Sequence, residues 1–151
     1  TEDPSLGVRY ADLPTLLREC DVLSLHMPLS QDNYHLIGRE AIAEMKDGVV
    51  LVNTARGGLI DTEALIEGLE SGRIGAAALD VVEDEAGLFH FDRKSDPIGH
   101  RAISILKDMP NVIFTPHMAF YTQEAIGDMV GHSIESCVLE LGGRENPWRI
   151  V

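Results

Sequence analysis

Residues 49–61, VVLVNTARGGLID, decide the fold of this chain. The first five, Val49 to Asn53, form an almost unbroken aliphatic run, as expected for a parallel strand that is buried on both faces. Arg56 and two glycines follow at the carboxyl end of this strand, and Asp61 then caps a helix. Ligands bind at this edge of an open α/β sheet. The planar guanidinium of an arginine placed there can bind a small anion, and an ordinary surface arginine is the alternative.

Further apolar runs have the length of β-strands, and helical patterns separate them. Helices between successive strands return the chain to the same end of the sheet, so the sequence predicts an α/β fold with a parallel sheet. The predicted strands are Val22–His26, Val49–Asn53, Gly75–Val82 and Asn111–Phe114. The predicted helices are Pro14–Cys20, Ile37–Met45, a helix from Asp61 to Ser71, Arg101–Lys107 and a long helix Thr122–Leu141, and an extended tail follows from Arg144.

Composition favours a soluble cytoplasmic protein. The chain of 151 residues is long enough for one domain, and 25 Asp and Glu against 12 Lys and Arg give a formal net charge of -13. This charge repels phosphate backbones and anionic lipids, so nucleic acid and membrane surfaces are poor partners. Cys20 and Cys137 are far apart and fit no metal-ligand spacing, which favours reduced thiols and no metal site. The sequence has neither a signal-peptide pattern nor an apolar run of the ~20 residues that cross a bilayer.

Polar groups follow several of the predicted strands directly. They are Arg56, the acidic segment from Asp80 to Glu85, and His117. Because the carboxyl ends of parallel strands meet at one edge of a sheet, these residues can converge there. Histidine titrates near neutral pH, and a carboxylate bonded to its second ring nitrogen stabilises the imidazolium, so the group favours proton transfer. A hydrogen-bonded structural histidine is the alternative interpretation.

Four motifs follow one another along the chain: H-M-P, V-N-T-A-R-G-G-L-I-D, A-L-D-V-V-E-D-E and T-P-H-M-A-F-Y-T. Together they resemble the NAD-dependent D-2-hydroxyacid dehydrogenase family, and most its D-lactate dehydrogenase branch. The resemblance implies a doubly wound, Rossmann-like NAD-binding domain. Since the chain contains no G-x-G-x-x-G motif, we expect residues 1–121 to be the C-terminal half of that domain. Residues 122–151 are then a helix and tail that belong to the substrate domain, and the N-terminal half of the enzyme is absent.

The family's motifs assign roles to individual residues of this chain. The resemblance implies that Arg56 binds the substrate carboxylate, that His117 is the acid/base and that Glu85 is its partner. Phe120 and Tyr121 are expected to border the substrate, although alone they are typical of an ordinary core. The loop Gly87 to Pro97 is also similar to the lactate branch. The implied NAD contacts are Met27, Pro28, Asn33, Thr54, Ala55, Arg56 and Asp80, and a loop cap is the alternative for Asp80.

By this resemblance the parent enzyme reduces a 2-keto acid to a D-2-hydroxy acid with NADH, or runs the reverse. Pyruvate and D-lactate are the expected pair, a homodimer is the expected assembly, and the chain alone is expected to be inactive. A second hypothesis is a corepressor of the same fold, which binds NAD as a signal and acts through protein interactions. A third is a partial fold that serves as an interaction fragment. The substrate side chain and the choice between NAD and NADP stay open.

Overall fold

The computed structural model describes residues 7–89 and 99–149. Within these ranges the chain alternates short helices and strands and ends in one long helix. The strands are β1 (Val22–Leu25), β2 (Val49–Asn53), β3 (Ile74–Leu79) and β4 (Val112–Phe114). The α-helices are α1 (Leu13–Glu19), α2 (Arg39–Glu44), α3 (Thr62–Glu70), α4 (Arg101–Asp108) and α5 (Gln123–Leu141), with a 3-10 turn at Gly57–Leu59.

The four described strands form one sheet in the order β1-β2-β3-β4, and each neighbouring pair is parallel. The predicted α/β fold with a parallel sheet is therefore confirmed. The last residues of the strands stand in one row across the sheet: Leu25 pairs with Asn53, Asn53 with Leu79, and Leu79 with Phe114. The segments that follow the strands consequently begin side by side at one edge.

The core lies between the sheet and a layer of helices. Helices α1 to α4 each pack against the next, and α3 and α4 also contact β3 and β4. Val49 and Leu51 of β2 are buried in this core, whereas Val50 and Val52, on the opposite face, are only half-buried. The expectation that β2 is buried on both faces is therefore wrong for the described residues. The helix layer covers only the face that carries Val49 and Leu51.

The predicted helix Ile37–Met45 is too long. Helix α2 begins at Arg39, with Gly38 as its N-cap. Ile37 lies outside the helix and is completely buried, since it forms a parallel bridge with Ile60. Its backbone N–H donates to Leu59 O at 3.0 Å. This bridge ties the loop after β1 to the loop after β2, and it explains why an apolar residue at helical spacing is not helical.

Strand boundaries also differ from the prediction. The predicted strand Gly75–Val82 is observed as β3, which ends at Leu79. Past that point the backbone N–H of Asp80 donates to Asn53 O, and the carbonyl of Asp80 accepts from His117 at 2.8 Å. The chain leaves the sheet here, so residues 80–85 form a loop at the carboxyl edge.

The described residues divide into two compact units, one up to His117 and one from Met118 onward. The second unit contains α5, which Thr122 caps through a hydrogen bond from Ala125 N at 3.1 Å. No residue of α5 is buried. The predicted extended tail is wrong, because it turns back onto the helix and Trp148 stacks on His132 at 4.8 Å between ring centroids. Among the described residues, no helix has the length and apolarity needed to cross a membrane.

Candidate active site

The loops after β1 and β2 border a cleft of about 350 Å³ at the carboxyl edge of the sheet. Most of its lining was predicted to bind NAD, and His26 is the residue that the sequence reasoning missed. The side chain of His26 bonds to Ser24 Oγ at 2.8 Å. The lining residues are His26, Met27, Pro28, Thr54, Ala55 and Arg56.

Asn53 shapes the loop that carries Arg56. Its side chain is 1% exposed at the end of β2. The amide nitrogen donates to Arg56 O at 2.9 Å, and the amide oxygen accepts from Ala55 N at 3.1 Å. Both hydrogen bonds hold the turn closed on itself. The sequence reasoning treated Asn53 only as the end of an aliphatic run, although an amide in such a run is itself a signal of a buried polar role.

Gly57 brings the Arg56 loop against the loop after β3. A Cβ at this position would lie 2.0 Å from the carbonyl carbon of Val82 and 2.5 Å from Glu83 N. Only glycine allows this approach. The two loops form a second cleft of about 290 Å³, whose lining includes Arg56, Glu83 and Glu85. Arg56 therefore borders both clefts, and its exposed guanidinium donates to Ala55 O at 2.6 Å.

Glu85 and His117 form a short polar contact at this edge. Glu85 Oε1 lies 2.6 Å from His117 Nδ1, and Glu85 Oε2 accepts from the backbone N–H of Val82 at 2.9 Å. Because an ionised carboxylate only accepts, Nδ1–H is the donor. The carboxylate is 18% exposed and the imidazole 35% exposed. This geometry suits a histidine that carries a proton and a carboxylate that stabilises its charged form.

The backbone of His117 is strained, with φ of 52°. This left-handed conformation costs a residue other than glycine about 1–3 kcal/mol, and such strain clusters at functional sites. The backbone N–H of His117 donates to Asp80 O at 2.8 Å, which helps to hold it. The carboxylate of Asp80 is buried and accepts from Thr115 Oγ1 at 2.5 Å. Thr115, which the sequence reasoning missed, thus orients a predicted NAD contact.

Glu83 has different partners, although it is only two residues from Glu85. Its Oε1 accepts from Tyr34 Oη at 2.9 Å and from His35 Nε2 at 2.6 Å, and its Oε2 accepts from Thr62 N at 2.9 Å. Burial by itself raises the pKa of Glu83, but these hydrogen bonds outweigh it and the net pKa lies below its usual range. The hydrogen bond between Tyr34 Oη and Glu83 raises the pKa of Tyr34.

The other predicted site residues have diverse surroundings. Asn33 uses its side chain within its own loop, where the amide nitrogen donates to Pro28 O at 2.8 Å and the oxygen accepts from Ser30 N at 2.7 Å. Phe120 and Tyr121 lie in the second unit, with ring centroids 6.1 Å apart in an edge-to-face arrangement. Positions 90–97 of the predicted lactate-type loop lie outside the described residues. Within the described part of the chain, no group of three or more His, Cys, Asp or Glu is arranged to hold a metal ion.

The chain matches the family model described as D-isomer specific 2-hydroxyacid dehydrogenase, NAD binding domain, over residues 1–119. It is 51% identical to an aromatic 2-oxoacid reductase of Clostridium sporogenes over 123 residues, which are 82% of this chain. It is 50% identical to the D-lactate dehydrogenase of Escherichia coli over 121 residues, which are 80% of this chain. Each alignment covers 37% of the relative, so the chain spans less than half the length of these curated proteins.

Solved structures agree with this match. A D-lactate dehydrogenase from Treponema pallidum superposes with a TM-score of 0.92 at 41% identity, over 100% of this chain and 46% of that chain. A D-lactate dehydrogenase from Lactobacillus jensenii, solved with NAD+, gives 0.89 at 36% identity, with 100% and 46% covered. The chain therefore belongs to the D-isomer specific 2-hydroxyacid dehydrogenase family, within its NAD-binding domain, and the resemblance seen in the motifs is confirmed.

The described residues fit part of a dinucleotide. The first cleft offers apolar surface from Met27, Pro28 and Ala55 for a flat ring, a hydroxyl from Thr54 and the cation of Arg56. Its volume of about 350 Å³ is near the lower end of small-molecule sites, which measure about 300–1,000 Å³. A glycine-rich G-x-G-x-x-G turn for the pyrophosphate is not in the 151 residues. The lining of the first cleft therefore suits one part of a dinucleotide.

Proposed function

We propose that this chain is the C-terminal half of the catalytic machinery of a NAD-dependent D-2-hydroxyacid dehydrogenase that interconverts pyruvate and D-lactate. The chain joined to its N-terminal half is called the complete enzyme below. The observation that carries the proposal is the 2.6 Å hydrogen bond between Glu85 Oε1 and His117 Nδ1 at the edge of the sheet that Arg56 also borders. A histidine, its carboxylate partner and an arginine are the groups that reduction of a keto acid requires.

Each residue has one task in the proposed reduction. Arg56 binds the keto acid's carboxylate through two parallel N–H donors and so fixes the carbonyl relative to the cofactor. NADH, when bound, supplies a hydride to C2 of the keto acid. His117 gives a proton to the oxygen that becomes the hydroxyl, and we assign the transfer to Nε2 because Nδ1 bonds to Glu85. Glu85 stabilises the imidazolium before this transfer.

An aromatic 2-oxo acid is the second candidate substrate. It is favoured by the 51% identity to the aromatic 2-oxoacid reductase of Clostridium sporogenes. We propose that Phe120 and Tyr121, which are 42% and 65% exposed in this chain, border the substrate side chain. The kcat/KM of the complete enzyme for pyruvate and for phenylpyruvate decides between the candidates. A higher value for phenylpyruvate would replace pyruvate as the proposed substrate.

NADH oxidation by the complete enzyme, followed by chiral analysis of the product, tests the proposed reaction. We expect oxidation that depends on pyruvate and D-lactate as the product. The matched control is this chain alone, for which we expect weak NADH binding and no reductase activity, since the pyrophosphate turn is missing. Tight NADH binding by the complete enzyme without oxidation by any keto acid would instead favour the corepressor hypothesis.

We also propose that α5 belongs to the substrate domain and that the complete enzyme is a cytoplasmic homodimer. The support is the apolar surface of α5, where Met129, Ile134 and Leu141 are 48%, 61% and 90% exposed. Such a surface is normally covered by protein. Light scattering of the complete enzyme measures its mass, and a monodisperse monomer would contradict the proposed dimer.

A further inference from the structure

Glu83 connects segments that are far apart in the sequence. Its carboxylate accepts from Tyr34 Oη and His35 Nε2 in the loop after β1, and from Thr62 N at the start of α3. Its backbone carbonyl lies 3.1 Å from Nε2 of His100, the N-cap of α4, and accepts from it. The side chain is 17% exposed. Residue 83 is therefore held from three sides by groups outside its own loop.

The same residue lies inside the turn that orients Glu85. The backbone N–H of Val82 donates to Glu85 Oε2, and the other oxygen of Glu85 meets His117. Gly57 packs directly on the backbone of Val82 and Glu83. A displacement of residue 83 would consequently move the Val82 donor and change the direction in which the Glu85 carboxylate points.

We propose that Glu83 is a positioning residue, whose carboxylate holds the 82–85 turn in the shape in which Val82 N–H directs Glu85 onto His117. The effect on turnover rests on the proposed function, whereas the effect on the hydrogen bond between Glu85 and His117 can be measured without turnover. The competing interpretation is that the hydrogen bonds of Glu83 only stabilise the fold.

The charged and titratable surroundings of Glu83 come from each element packed on it. The shortest contact of the Glu83 carboxylate is with Nε2 of His35. The other ring nitrogen of His35, Nδ1, lies 4.0 Å from Asp61 Oδ2. Nη1 of Arg39 in α2 lies 3.5 Å from Asp61 Oδ2, so the guanidinium places a positive charge beside Asp61. The groups to consider in any pH dependence are Tyr34, His35, Arg39, Asp61, Asp84, Glu85 and His100.

Two substitutions of Glu83 in the complete enzyme separate positioning from stability. Glu83→Ala removes every hydrogen bond of the Glu83 side chain. Glu83→Gln keeps the size of the side chain and one acceptor oxygen, but its amide cannot accept both from Tyr34 and His35 and from Thr62 N. Asp21→Asn is the matched control, since Asp21 is a carboxylate that accepts a hydrogen bond from Lys46 Nζ at 2.9 Å but is 86% exposed and precedes β1, at the opposite edge of the sheet. Glu85→Gln is the positive control, because it removes the carboxylate that bonds to His117.

The first readout is the proton NMR resonance of the Nδ1 proton between His117 and Glu85 at low pH, identified by its loss in His117→Ala. We expect this downfield signal to broaden or move upfield in Glu83→Gln, to disappear in Glu83→Ala and Glu85→Gln, and to stay unchanged in Asp21→Asn. This measurement uses protein without substrate. It therefore distinguishes failure of the positioning proposal from failure of the proposed function.

The second readout is the pH profile of kcat/KM for pyruvate reduction. A loosened Glu85 stabilises the imidazolium of His117 less, so the protonated form needed for reduction is lost at lower pH. We expect the alkaline limb of Glu83→Gln to move to lower pH, with kcat/KM reduced about 10- to 100-fold, since misplacement by about 1 Å can cost 10²-fold. NADH affinity should stay within about twofold. The proposal would be overturned if Glu83→Gln had a lower Tm but an unchanged downfield resonance and an unchanged pH profile. If Glu83→Ala does not fold, Glu83→Gln alone provides the test.

Discussion

Gly57→Ala is a small substitution with a large expected effect on the site. The added methyl would lie 2.0 Å from Val82 C and 2.1 Å from Val82 O, whereas ordinary contact begins at 3.4 Å. The opposing atoms are backbone and cannot rotate away. One of the two loops therefore has to move by about 1 Å or more, and this separates Arg56 from Glu85.

The magnitude follows from that displacement. Overpacking of this kind typically costs about 1–3 kcal/mol of stability. Misplacement of a binding group by about 1 Å costs about 10²-fold in rate, so kcat/KM for pyruvate should fall by about 10²-fold in the complete enzyme. Urea unfolding measures the first effect, and steady-state NADH oxidation measures the second.

Gly99→Ala is the matched control, because a Cβ at Gly99 would meet nothing within 4 Å and the backbone needs no positive φ there. We expect its stability and kcat/KM to remain close to those of the parent. If Gly57→Ala kept kcat/KM within about threefold of the parent, the close approach of the two loops would not set the geometry of the site.

Three further predictions concern neighbouring groups. Arg56→Lys keeps the charge but loses the bidentate fork, so KM for pyruvate should rise about tenfold or more in steady-state assays, while a keto compound without a carboxylate, if used at all, should be little affected. Asn53→Ala leaves the partly buried carbonyl of Arg56 and N–H of Ala55 without their partner, so urea unfolding should show a loss of about 1–3 kcal/mol. Because the pKa of Glu83 lies below its ordinary 4.5, its hydrogen bonds stabilise the fold above that pH and are lost as the pH falls through the lowered value. Glu83→Gln should therefore lose less stability than the parent in urea titrations as the pH is lowered from neutral to below 4.5, and an equal loss would assign the acid sensitivity elsewhere.

Local signals were sufficient for most of the fold. Each of three elements has a short-range signal in the sequence. The aliphatic run predicts β2, the glycine pair after Arg56 predicts the turn, and the cap at Asp61 predicts the start of α3. Ile37 was assigned to α2 for the same reason, and wrongly. Its apolar side chain fits helical spacing, but its partner is Ile60 in a loop 23 positions away, and spacing along the chain cannot reveal such a bridge.

The partners of individual polar side chains were harder to predict. Glu83 and Glu85 are the same residue type two positions apart, and composition cannot tell which one meets the histidine. The family motif selected Glu85, and the observed 2.6 Å contact with His117 agrees with that choice. The contacts of Glu83 with His35 and Thr62 had no sequence signal, because they depend on how the loops fold over one another.

Comparison of the complete enzyme with its His117→Ala variant tests the central claim most directly. NADH binding is measured by fluorescence titration, and turnover is measured as oxidation of NADH by pyruvate. The account predicts nearly unchanged NADH affinity and a turnover reduced by about 10²-fold or more, because general acid–base catalysis contributes typically 10²–10⁴-fold. Turnover within a few-fold of the parent enzyme would contradict the assignment of His117 as the proton carrier.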